Sequence, residues 1–297
     1  MDYTTIQAEQ IGNVLKITLN RPEKRNAQNG VLISELHDAM AWAKDDDSVH
    51  VVTLFGAGES FSAGHDLKEG SSSGPFSHYD RTVTKGRLKY ADDVLFDHWM
   101  FIHDLPKPTI AAVHGYLATA GISLAAMCDI IIAADDARFL DHAVTLFATP
   151  GTELGWYPWE LGVRKAKEFL WTQPVWDAST MERLGLVNRV VPRAELEQTV
   201  MDMANQIALA SPLAVELTKR SLNQAWALMG KKAAFDYHLM VQQSAMFSDE
   251  STKRAEKRGD RDTREWLAEV RQEAHVQDPR AVRPGTAASS GARENRG

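Results

Sequence analysis

Leu15, Ile17 and Leu19 alternate with Lys16, Thr18 and Asn20, the two-residue period of a half-buried strand. Arg21-Pro22 ends it, since proline has no amide hydrogen with which to extend a ladder. Val31 or Leu32, then Leu36, Met40 and Ala43, recur at helical spacing and predict an amphipathic helix over 29–44. Val49–Phe55 is an apolar run of strand length, halted by Gly56-Ala57-Gly58. The polar stretch Gly70-Ser71-Ser72-Ser73-Gly74-Pro75 predicts a mobile surface loop. A helical region over about 80–103, a strand over 109–113, a helix over 121–128 and a strand over 129–134 follow. This alternation predicts an α/β core with mostly buried strands.

Past about 195 the pattern turns to helices alone. Leu196, Val200, Met203, Ile207 and Ala210 repeat at steps of three and four, and Pro212 restarts the chain. Helices are expected over 213–229 and 232–247, then a highly charged one over about 250–273. Residues 276–297 are rich in Pro, Gly, Ser and Arg, with few large apolar side chains, and predict a disordered tail. The division expected is a core over 1–195, a helical region over 196–275 and that tail. No repeat of solenoid period is visible.

Composition narrows the function more than the fold. The 297 residues are 44% hydrophobic and 25% charged, ordinary for a soluble globular protein. No apolar run approaches the roughly 20 residues of a membrane span, and the start carries no signal-peptide pattern. A single cysteine, Cys128, forbids an intrachain disulfide and suits the reducing cytoplasm. The net charge of −7, from 33 basic and 40 acidic residues, argues against a nucleic-acid partner.

Two glycine-containing turns stand out. Phe61-Ser62-Ala63-Gly64-His65-Asp66-Leu67-Lys68-Glu69 follows a buried strand, and its small residues let backbone amides approach a ligand. Pro106–Val113 then runs through His114-Gly115-Tyr116-Leu117-Ala118-Thr119-Ala120-Gly121 into a helix, whose N-terminus suits negative charge. Two amides converging from such turns would make an oxyanion hole for a thioester enolate. Each turn alone is more readily read as structural.

Taken in order, Asn20–Ala27, Phe61–Glu69, Pro106–Asp129, Pro150-Gly151 and Gly185–Pro192 closely resemble the crotonase superfamily, over roughly 5–260. The resemblance implies a spiral of ββα units with a C-terminal helical trimerisation region, and a homotrimer or dimer of trimers. It places the oxyanion amides on His65 and Ala120. It puts Lys24, Arg25, Ala27, Ala63, Asp66, Leu67, Lys68 and Gly121 along the coenzyme A and substrate pocket. The implied partner is an acyl-CoA, with coenzyme A entering as part of the thioester and no permanently bound cofactor.

The chain departs from the hydratase pattern at the chemistry. The two glutamates that hold and activate water in similar hydratases align with Ser123 and Ala143, neither a carboxylate. His65, Ser123, His142 and Glu153 are the candidate replacements, with Asp141 behind them. Neutral imidazole is a suitable base near pH 7. Each also has a plainer reading, as a hydrogen-bonded histidine, a small helix residue or a solvated carboxylate. Trp156-Tyr157-Pro158-Trp159-Glu160 could wall an acyl pocket or fill the core. Cys128 reads as a buried inert thiol. His98 and His103 lack partners at metal-ligand spacing, so no metal is expected.

Enoyl-CoA hydratase/isomerase-like chemistry is the leading expectation. Decarboxylation or carbon–carbon hydrolysis of a β-keto or malonyl-type thioester, and a non-catalytic acyl-CoA scaffold, are the alternatives. Gly121-Ile122-Ser123-Leu124-Ala125 only superficially resembles a serine-hydrolase elbow, because its last position is not glycine and no apolar strand precedes it.

Overall fold

The computed structural model describes residues 2–69, 74–151, 154–259 and 261–273. Strands β1 (Ile6–Ile11) and β2 (Val14–Leu19) form an antiparallel hairpin, with Ile6 opposite Leu19. β2 carries the alternation read from the sequence. β1 has no such signal because it is an edge strand in which only Ile6 is buried. Helix α1 (Gly30–Asp45) starts where the Asn29 side chain accepts the Leu32 amide, and it buries Leu32, Leu36, Met40 and Ala43. β3 (Val51–Gly56) follows. The helical region begins later than expected, as α2 (Thr84–Tyr90), and passes through a π-helical turn, Ala91–Phe96, into α3 (Asp97–His103).

Next come β4 (Thr109–Val113), β5 (Tyr116–Ala118), α4 (Ala120–Ala126), β6 (Ile130–Ala134), β7 (Arg138–Leu140) and α5 (Ala143–Phe147). Then follow α6 (Tyr157–Leu161), α7 (Val163–Thr172), β8 (Trp176–Asp177), α8 (Ala178–Leu184) and β9 (Arg189–Val191). The main sheet has the order β1-β2-β3-β4-β6-β9, parallel from β2 onward, and β5-β7-β8 form a smaller sheet.

Helix α9 (Leu196–Ala208) decides why the inner strands read as apolar runs. Its Leu196, Val200 and Ala204 pack on Val51, Phe55, Ile110, Ala112, Ile132 and Ala134. The intervening residues, among them Val52, Leu54, Ala111, Val113, Ile131 and Ala133, face the main core with α1 and α4. Parallel strands covered on both faces cannot alternate apolar with polar.

Helices α10 (Pro212–Leu228) and α11 (Lys231–Met246) follow within a residue of their expected limits. The single charged helix expected over 250–273 is instead two, α12 (Asp249–Arg258) and α13 (Thr263–Glu273). Gly259, at φ +54°, caps the first of them in a conformation that ends a helix. Trp266 and Leu267 of α13 pack on Leu146 of α5. Among the described residues no helix is long and apolar enough to cross a membrane. Most of the expected surface loop, 70–73, and the tail over 276–297 lie outside the described residues.

Candidate active site

Segment 61–66 is held as an extended rib between two others. On one edge the Ala63 amide donates to Arg25 O, the Gln28 amide to Gly64 O, and the Asp66 amide to Gln28 O. On the other edge the Phe61 amide donates to His114 O and the Ala118 amide to Ser62 O. Because the Gly64 carbonyl and the Asp66 amide both bond residue 28, the His65 N–H lies on the opposite edge, toward 117–120. There α4 begins, and the first amides of a helix have no acceptor within it. Ala120 supplies the first of these.

Contact between the turns is close enough to require glycine. A Cβ on Gly64, at φ +83°, would fall 2.6 Å from Ala118 O and 3.3 Å from Ala120 N. One on Gly121 would fall 2.2 Å from Ser62 O. Gly121 therefore seats the helix against the rib rather than only lining a pocket. Thr119, between them, has φ +45° and ψ −112°, a conformation few non-glycine residues adopt. Backbone of this kind costs about 1–3 kcal/mol and persists where the surroundings hold it, as the hydrogen bond from the Thr119 amide to Leu140 O does here.

Buried side chains brace this arrangement. Ser62 Oγ donates to Asn26 O, and Gln28 Nε2 donates to Ser62 Oγ at 3.1 Å and to Ala120 O at 3.2 Å. Asp66, only 7% exposed, takes Arg21 on one oxygen at 3.0 Å and the Lys68 and Glu69 amides on the other. Burial pushes the Asp66 carboxyl up, but the Glu69 amide, Arg21 and the Lys68 amide outweigh it and hold it below the usual range. Asp66 thus shapes the turn, while Lys24, Arg25, Leu67 and Lys68 are exposed around it and Ala27 and Ala63 are partly covered.

The remaining candidates fall on two helix starts. Ser123, in α4, is 2% exposed, and its Oγ accepts the Trp156 indole N–H at 3.1 Å. His142, 6% exposed, is the N-cap residue of α5, next to Ala143. Asp141 is engaged on both oxygens, by the Ala143 amide at 2.9 Å and the Tyr157 hydroxyl at 2.7 Å. Glu153 lies outside the described residues. Burial raises the Cys128 thiol to about 12, leaving it protonated. Burial, with His37 and His65 nearby, lowers His98 to about 3, so its imidazole is neutral.

Comparison with known proteins gives the family. The family profile described as Enoyl-CoA hydratase/isomerase matches residues 9–262. The chain belongs to the enoyl-CoA hydratase/isomerase family. A putative enoyl-CoA hydratase of Mycobacterium tuberculosis is 36% identical over 247 residues, covering 79% of this chain and 78% of the relative. The crystal structure of a probable enoyl-CoA hydratase from Mycobacterium smegmatis superposes with a TM-score of 0.75 at 38% identity, covering 82% of this chain and 95% of that one. An enoyl-CoA hydratase/isomerase from Xanthobacter autotrophicus gives a TM-score of 0.79 at 30% identity, covering 93% and 100%. This family member is thus a crotonase-fold, hydratase/isomerase-like enzyme whose helical C-terminal region is present.

Three participants were missed from the sequence. Arg21 was read as a strand stop and a member of the Asn20–Ala27 motif, Gln28 lay just past that motif, and Trp156 was read as a pocket wall or core filler rather than a donor to Ser123. The partners of Arg21 and Trp156 are 45 and 33 residues away, beyond any periodic signal.

Proposed function

We propose that this enzyme binds acyl-CoA thioesters and stabilises their enolates between the His65 and Ala120 amides. The observation that supports the reading is the seating of Gly64 on Ala118–Ala120, which brings the two backbone segments into direct contact. Aligned amides in a water-poor site stabilise developing negative charge strongly, because they need no reorganisation as the charge forms. Lys24, Arg25 and Lys68 are exposed on the adjoining rim and complement the phosphates of coenzyme A. Coenzyme A arrives as part of the substrate, so no resident cofactor is required.

Ser123 and Ala143 cannot supply the two carboxylates of a hydratase, so simple hydration is slow and His142 is the candidate base. Single positioned acid–base groups contribute about 10²–10⁴-fold in rate. His142→Ala should therefore abolish native turnover while leaving acyl-CoA binding in place. Titration calorimetry with a non-hydrolysable acyl-CoA analogue tests the binding; no heat at millimolar analogue would remove the assignment. The assembly proposed is a homotrimer or dimer of trimers, working in the cytoplasm.

A further inference from the structure

Trp156 and Tyr157 are adjacent, fully buried and stacked ring on ring at 3.8 Å. Each gives its single polar hydrogen to one of the two helix starts at the site. The indole N–H goes to Ser123 Oγ at 3.1 Å and the phenol to Asp141 Oδ2 at 2.7 Å. Asp141 Oδ1 accepts the Ala143 amide, so both carboxylate oxygens are taken. A water held for attack needs space and two to four polar partners. Beyond Ser123 it would meet an indole instead, and Ala143 offers only a methyl group.

We propose that Trp156 is the specificity-determining residue of this site: it fills the space beyond Ser123 where an attacking water would be held, and restricts the enzyme to enolate chemistry that adds no water. The proposal rests on the acyl-CoA reading above. The substrate class it selects is an enoyl thioester whose double bond moves. In that shift a Cα–H bond breaks, its electron pair forms the dienolate on the thioester oxygen, and a new C–H bond forms at Cγ. The candidate base His142 takes the Cα proton and returns one to Cγ as the Cβ–Cγ double bond becomes Cα–Cβ, with no net consumption of water or oxidant.

The test measures crotonyl-CoA hydration in a Ser123→Glu/Ala143→Glu background, with position 156 as Trp, Phe or Leu. A glutamate at 123 is three heavy atoms larger than serine, and with the indole 3.1 Å from Oγ it has no room to hold water. Hydration should rise in the order Trp, Phe, Leu, by about 100-fold in all, the lower end for a positioned acid–base group. The ratio of crotonyl-CoA hydration to deuterium exchange at Cα of butyryl-CoA should rise in the same order, a result that general loosening of the core, which slows both, would not give. If the Leu variant does not fold, the Trp-to-Phe comparison still decides. Equal hydration with Trp and with Phe or Leu overturns the proposal, as does hydration by the unmodified protein at an ordinary hydratase rate. Failure of every protein to bind the acyl-CoA analogue overturns instead the reading on which the proposal rests.

Discussion

Arg21 shows how much of a site rests on one buried side chain. Its guanidinium bonds Asp66 at 3.0 Å and Glu69 at 2.8 Å, and Asp66 in turn fixes the Lys68 and Glu69 amides. Arg21 and the Asp66 side chain are each under one-tenth exposed. Removing one partner strands the other, so Arg21→Ala should lower unfolding free energy by about 3–5 kcal/mol in chemical denaturation. The Asp66 carboxyl is held below its unfolded value, so its contribution is full above about pH 4 and is lost as pH falls through the folded value. Asp66→Asn should flatten that acid limb of the stability curve. At this scale the sequence shows directly that Ser123 and Ala143 are not carboxylates, because a residue's identity needs no contact map. It could not display Trp156 on Ser123 or Tyr157 on Asp141, since nothing local encodes a contact made across the core.

The two glycines that join rib and helix belong to the scale of elements. Gly121→Ala would drive a methyl group to within 2.2 Å of the Ser62 carbonyl, so α4 must lift and carry the Ala120 amide with it. Misplacing one oxyanion donor typically costs about 10²–10³ in turnover. Steady-state kinetics on the native thioester should therefore show a fall in kcat of that size, with the substrate KM little changed. Elements were legible where a period runs long enough: β2, α1, α10 and α11 lie within about two residues of their expected limits. Strands of two or three residues, such as β5, β7, β8 and β9, are too short to show any period. The charged stretch after 249 hid its break at Gly259 because both halves share one composition.

At the scale of the whole molecule, α10 leaves Leu213, Leu217, Leu222 and Leu228 each more than half exposed. Large apolar side chains exposed in this number on one helix mark an association surface. Light scattering at micromolar protein should give an oligomeric mass, and Leu213→Lys with Leu217→Lys should shift it toward the monomer. A monomeric unmodified protein would remove the trimer proposal. The family and the crotonase fold were legible from motif order alone, because the turns that join rib and helix need glycine and small residues at fixed places. The reaction was not, because one enolate serves several outcomes and the choice among them rests on side chains that meet only in the folded core. Enolate stabilisation between His65 and Ala120 is therefore what most needs measuring. Mass spectrometry of butyryl-CoA incubated with the protein in deuterium oxide reads it directly. The expected result is deuterium at Cα with the unmodified protein, reduced by about 10²–10³ in Gly121→Ala. Tight binding of the thioester with no deuterium beyond the buffer control would contradict the account.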